Sequence, residues 1–79
     1  MKKQWRDDML IRRIAGRLKE LRMRKGVSQE AVYDTTGIHI GKIETEQYNI
    51  TVSTLSKLCD YYGVTLDEFF APLNYPTKE

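Results

Sequence analysis

Gly26, Gly37, Gly63 and Pro72 punctuate this chain and mark where its elements break. Between these marks the apolar residues recur at helical steps. Leu10, Ile11, Ile14, Leu18 and Leu21 fall three and four apart, with Arg and Lys between them. The spacing predicts a helix from about Asp8 to Lys25 closed by Gly26, with Gly16 inside it costing up to ~1 kcal/mol relative to Ala. Ser28 is a good N-cap for a second short helix opening on Gln29-Glu30-Ala31-Val32-Tyr33. Asp34-Thr35-Thr36-Gly37 is a poor helix interior and reads as a turn. Ile40 and Ile43 mark a third short helix ending near Glu46, and residues 47–50 read as a loop. Thr51 can cap a fourth helix, buried through Leu55, Leu58, Cys59 and Tyr62 and stopped by Gly63. Thr65-Leu66-Asp67-Glu68 has the form of a capping box, opening a last helix through Phe69 and Phe70. Pro72 and Pro76 then leave a tail. The expected fold is all-α, a compact bundle of five short helices. Residues 1–9 form a basic N-terminal arm, residues 10–71 the domain and residues 72–79 the tail.

Size and composition narrow the class. Seventy-nine residues bury roughly 63% of their unfolded surface, room for one small core. A hydrophobic content of 41% is too high for a disordered tail. No apolar run nears the ~20 residues of a membrane span, and no signal-peptide core follows the first eight residues. The single cysteine makes no internal disulfide, and with the single histidine it makes no closed zinc site. A cytoplasmic domain is expected, with no membrane partner, metal or cofactor. An enzyme is not expected: His39 has no evident pairing with a serine or with Cys59, and the Gly37/Gly41 spacing is no nucleotide fingerprint.

The net charge of +2 conceals an asymmetry. Residues 1–25 hold ten Lys/Arg against three Asp/Glu, a balance of +7; residues 26–79 hold three against eight, a balance of −5. Such a basic element either attracts a polyanion or is simply a solvated helix face.

The middle pair of helices joined by a tight turn has the outline of a helix-turn-helix. Ile14-Ala15-Gly16-Arg17-Leu18-Lys19-Glu20-Leu21-Arg22, followed by Lys25-Gly26-Val27-Ser28-Gln29-Glu30, closely resembles the opening of the lambda-repressor-like, Cro-type (XRE) family. Ile40-Gly41-Lys42-Ile43-Glu44 looks like that family's recognition-helix signature. Asn49, Thr51, Thr54-Leu55, Leu58 and residues 63–70 match its fourth and fifth helices. The resemblance covers about residues 10–70, through the order and spacing of individually weak pieces. Two departures stand out. Gln29 to Glu44 spans three residues fewer than is usual in the family, close to one helical turn. The missing turn comes either from the second helix, with Thr36 capping the recognition helix, or from the start of the third, with His39 capping it. The turn-like character of residues 34–36 favours Thr36. The other departure is Glu46, where the family usually has Gly; a left-handed backbone there strains a non-glycine residue by ~1–2 kcal/mol.

The resemblance implies double-stranded DNA as partner. A recognition helix enters the major groove and presents side chains to base edges. Gly41 then lets the backbone approach, Lys42 reaches guanine acceptors or a phosphate, and Thr45 meets a base. Ile38 packs on thymine methyls, and Thr36 and His39 flank the helix start. Gln29 sits at a helix N-terminus suited to a phosphate oxygen, and Tyr48, Asn49 and Thr51 lie along the backbone. Each has a plainer alternative: Gly41 easing helix packing, Gln29 as an ordinary first-turn residue, His39 in a turn, Lys42 solvated. Arg22 and Glu44, by resemblance, form an internal ion pair. Lys2, Lys3 and Arg6 can reach over from the arm. Leu66 and Phe69 are expected to finish the core, leaving Tyr61, Phe70, Leu73 and Tyr75 as dimer-interface candidates. The leading expectation is a sequence-specific DNA-binding regulator, a repressor acting as a homodimer on a pseudo-palindromic operator. The alternative is an antitoxin-like or protein-interaction module with weak or lost DNA binding, because residues 28–50 carry only Lys42 against Glu30, Asp34, Glu44 and Glu46.

Overall fold

A computed structural model describes residues 6–73. Lys2, Lys3 and Tyr75 lie outside the described residues, as do residues 74–79 of the expected tail. The described chain runs α1 (Asp8–Lys25), α2 (Gln29–Thr36), α3 (Ile40–Glu44), α4 (Val52–Tyr62) and α5 (Leu66–Phe70), ending in a 3₁₀ turn at Ala71–Leu73. It contains no strand among the described residues.

Local chemistry sets most of the boundaries. Asp7 accepts the Leu10 amide at 3.0 Å and so starts α1 inside the segment assigned to the arm. Ser28 accepts the Ala31 amide at 3.0 Å to open α2, and Thr51 accepts the Thr54 amide at 3.1 Å to open α4. At α5 the box closes in both directions: the Glu68 amide donates to Thr65 Oγ1 at 3.2 Å, and the Thr65 amide donates to Glu68 Oε1 at 2.9 Å.

One boundary departs from the sequence expectation. Residues 34–36 continue α2, and Thr36 is its last residue rather than the cap of α3. The Thr36 hydroxyl donates to the Val32 carbonyl at 2.8 Å and accepts the Ile38 amide at 3.1 Å, within a side chain only 7% exposed. Burial with both hydroxyl functions satisfied outweighs a propensity deficit of a few tenths of a kcal/mol per residue. Gly37, at φ 75°, then supplies the left-handed cap that a side chain would strain. The missing turn is therefore taken from the start of α3, with His39 at its N-cap position and no side-chain capping bond. At its other end α3 stops at Glu44, two residues short of the expected Glu46.

The core is built from Ile14, Leu18 and Leu21 of α1, Val32 of α2, Ile40 and Ile43 of α3, Leu55, Leu58 and Cys59 of α4, and Phe69 of α5. Burial pushes the Cys59 thiol up, as suits an inert core sulfur. Phe69 finishes the core as expected, but Leu66 stays 39% exposed. Tyr62 packs against the core while its buried hydroxyl has no hydrogen-bond partner. That burial raises its pKa to about 12, with the Glu44 carboxylate adding to the effect. Leu73 also packs on the core and its carbonyl accepts Arg13 Nη1 at 2.8 Å, so the expected tail is held to α1 through this residue.

Arg17 is a charged residue buried beside this packing. Its guanidinium donates to the Phe69 carbonyl at 2.9 Å, the Glu68 carbonyl at 3.1 Å and Glu20 at 3.2 Å. It lies 5.8 Å from the Phe69 ring centroid. It thereby satisfies carbonyls that the end of α5 leaves open and binds that helix to the middle of α1.

Candidate nucleic-acid interface

The α2–α3 unit is fixed by one buried carboxylate. Glu44, its side chain 3% exposed, accepts Arg22 Nε at 2.7 Å and Arg22 Nη2 at 3.2 Å. Arg22 Nη1 donates to the Val27 carbonyl at 3.0 Å, so one guanidinium ties α1, the α1–α2 turn and α3 together. Its hydrogen bond to Glu44 raises the Arg22 pKa. Gln29 Nε2 adds a third donor to Glu44 at 3.0 Å, joining the start of α2 to the end of α3. A Cβ at position 41 would stand 3.0 Å from Gln29 Oε1. Gly41 is thus the residue over which Gln29 crosses α3, and the plainer packing role foreseen for it is present.

Around this node lies an open concavity of about 480 Å³, walled by α2 and α3. Lys42 and Thr45 line it from α3, and Glu30 from α2. His39 and Tyr33 form one wall, their rings stacked at 4.4 Å and 28°. The Lys42 ammonium leans toward Tyr48, 5.8 Å from the ring centroid. The Thr45 hydroxyl donates to the Gly41 carbonyl at 3.0 Å or that of Lys42 at 3.2 Å, and accepts Gln47 Nε2 at 2.9 Å. Asn49 and Thr51 are exposed on the loop beyond, with the Thr51 hydroxyl committed to capping α4.

Two expected members leave this surface. Thr36 is buried and fully bonded, so it presents nothing to a partner. Ile38 is half-buried against the core rather than standing free at the helix start. Tyr33 is the member that sequence reasoning missed. It stands four residues after Gln29, on the same face of α2, and that spacing was the available signal.

Of the dimer candidates, Tyr61 and Phe70 do not share one patch. Phe70, 38% exposed, borders a narrow apolar groove with Leu10, Ile50 and Val52. Tyr61 lies under the Lys25 ammonium, 5.1 Å from ring centroid to nitrogen. Leu10 and Lys25 are fifteen residues apart on α1, a rise of about 22 Å. Tyr61 and Phe70 therefore serve opposite ends of the bundle.

Much of the basic N-terminal charge is occupied internally. Arg17 and Arg22 are buried or nearly so, and Arg24 pairs with Glu20 at 3.1 Å. Arg6 pairs with Asp8 at 3.1 Å and donates to the Glu46 carbonyl at 2.7 Å. Arg12 faces the Glu46 carboxylate at 3.6 Å. Glu46 itself has φ 65°, a left-handed backbone that no other non-glycine residue among those described adopts.

The helix-turn-helix family matches residues 18–69 of this chain. The HTH-type transcriptional regulator PuuR of Escherichia coli (strain K12) is 36% identical over 65 residues, an alignment covering 78% of this chain and 35% of that protein. PuuR of Shigella flexneri gives the same values. The chain spans about a third of the length of these curated relatives. No solved structure matches.

Proposed function

Because the chain belongs to the helix-turn-helix family, in its Cro-type (XRE) form, we propose that it is a sequence-specific DNA-binding transcriptional regulator. It acts as a repressor, binding a pseudo-palindromic operator as a homodimer. The observation that carries this reading is the Arg22–Glu44–Gln29 node. It holds the α2 N-terminus against α3 and leaves Lys42 exposed on the outer face of α3. A rigid pair of helices of this kind suits a major groove, where α3 reads base edges and the start of α2 lies by the backbone. Lys42 and His39 are the base-reading candidates. Tyr48, Asn49 and the exposed face of Thr51 follow the phosphates. Two half-sites about one helical turn apart double the readout of so short a helix. PuuR's designation as a transcriptional regulator supports the same reading.

The test is a gel shift on DNA upstream of the protein's own gene, at two salt concentrations. Specific retention that weakens steeply with salt is expected, and Lys42→Ala weakens it. If Lys42→Ala leaves affinity and sequence preference unchanged, α3 is not the reading element. A second reading, a protein-interaction module, is favoured by one observation: residues 28–50 hold Lys42 as their only Lys or Arg. Absence of retention even at low salt would favour that second reading over the first.

A further inference from the structure

Two arginines from the start of the chain converge on the turn that ends α3. Arg6 Nη2 donates to the Glu46 carbonyl at 2.7 Å, and Arg12 Nε stands 3.6 Å from Glu46 Oε1. The two contacts differ in kind. The Arg6 bond is short and goes to backbone, so it fixes the left-handed turn whatever side chain stands at position 46. The Arg12 contact is long beside the 2.7–2.9 Å of a good charge-assisted bond, and the Arg12 side chain is 74% exposed. Its guanidinium is held loosely and faces solvent. Asp8 stands 3.1 Å from Arg6.

We propose that Arg6 and Arg12 form a seat for a DNA phosphodiester beside the end of α3, and that Glu46 fills this seat in the free protein. The inference rests on the DNA-binding reading and adds to it a named backbone contact and a residue that attenuates it. A phosphate oxygen replaces the Glu46 carboxylate on Arg12, while Arg6 keeps its carbonyl and adds charge from behind. The exchange gains counterion release from the DNA. It is opposed by the carboxylate left near the phosphate, because like charges a few ångströms apart repel. Where the family usually has Gly, this chain therefore carries a built-in competitor for its own phosphate contact.

The test is a fluorescence-anisotropy titration of the full chain with a 20-bp mixed-sequence duplex at 50 and 200 mM salt, since the phosphate term is independent of sequence. Glu46→Gln is expected to bind about threefold tighter or more at the lower salt. Arg12→Gln is expected to bind more weakly. Its loss of affinity between the two salts should be smaller than the wild-type loss by about 3.5-fold, the share of one phosphate contact over a fourfold rise in salt. Lys57→Gln, an exposed position on α4, controls for net charge. An Arg12→Gln salt loss equal to the wild-type loss would overturn the proposal. So would a Glu46→Gln variant that binds no tighter, or a Lys57→Gln variant that matches Arg12→Gln. Should Arg12→Gln fail to fold by circular dichroism, Glu46→Gln decides alone. A wild-type chain that binds no duplex at 50 mM salt removes the DNA reading itself, a result distinct from any of these.

Discussion

Arg22→Met leaves the Glu44 carboxylate buried with its charge uncompensated. Two charge-assisted bonds at 2.7 and 3.2 Å disappear, the Val27 carbonyl loses its donor, and only Gln29 at 3.0 Å remains. Breaking one side of a buried ion pair costs about 3–5 kcal/mol, and the surviving Gln29 bond places this case toward the lower end. A domain of this size has on the order of 4–12 kcal/mol in total. With a urea dependence of about 1 kcal/mol per molar, the unfolding midpoint should fall by about 3 M. Replacing both partners tests the reason rather than the magnitude. Arg22→Met/Glu44→Leu removes the stranded charge and restores apolar packing, so it should recover most of the loss. Urea melts of the two variants against the wild type check this. A single-variant loss below ~1 kcal/mol, or a double variant no more stable than the single, would show that Glu44 is not held as a desolvated anion.

Arg17→Met should cost about 2–4 kcal/mol in a denaturant melt, because it strips donors from the Phe69 and Glu68 carbonyls at the end of α5. Tyr62→Phe should be at least as stable as the wild type at neutral pH, since it removes a buried hydroxyl without a partner. The same change bears on alkaline stability. The folded-state pKa of about 12 lies above the ordinary value of 10, so the contribution is full below pH 10 and is lost as pH rises toward 12. The wild type should lose on the order of 2 kcal/mol across that window, a loss absent from Tyr62→Phe in parallel melts. Glu46→Gly should raise thermal stability by about 1 kcal/mol. It relieves left-handed strain of ~1–2 kcal/mol and gives up an exposed ion pair worth ~0–1 kcal/mol, while the Arg6 bond to the backbone survives.

What was legible in the sequence was chiefly what is local. The caps at Ser28, Thr51 and Thr65 each join groups three residues apart, so composition and spacing suffice to place them. Residues 34–36 were misread because their helix depends on burial of Thr36 against other elements, which no local propensity records. Arg17 escaped for a related reason. Its partners are carbonyls 51 and 52 residues away, and its charge looks like that of any α1 arginine. Yet it lies between Ile14 and Leu21 on the apolar stripe, and a cation at that register was a readable anomaly. The candidate site was half legible. Lys42, His39, Thr45 and Gln29 do gather on one concavity, whereas the commitment of Gln29 to Glu44 across Gly41 depends on how α2 packs against α3, which no local pattern records.

The Arg17 clasp also bears on how this chain is made. Fifty-two residues separate the guanidinium from the Phe69 carbonyl that receives it. At about 5–20 residues per second, a ribosome needs roughly 3–10 s to supply that partner. Through that interval α1 can coil but cannot retire its central cation from water, and the core side chains beside it stay uncovered. The last short helix thus completes the first long one. A chain that halted before α5 would leave that cation and the apolar side chains beside it open to water.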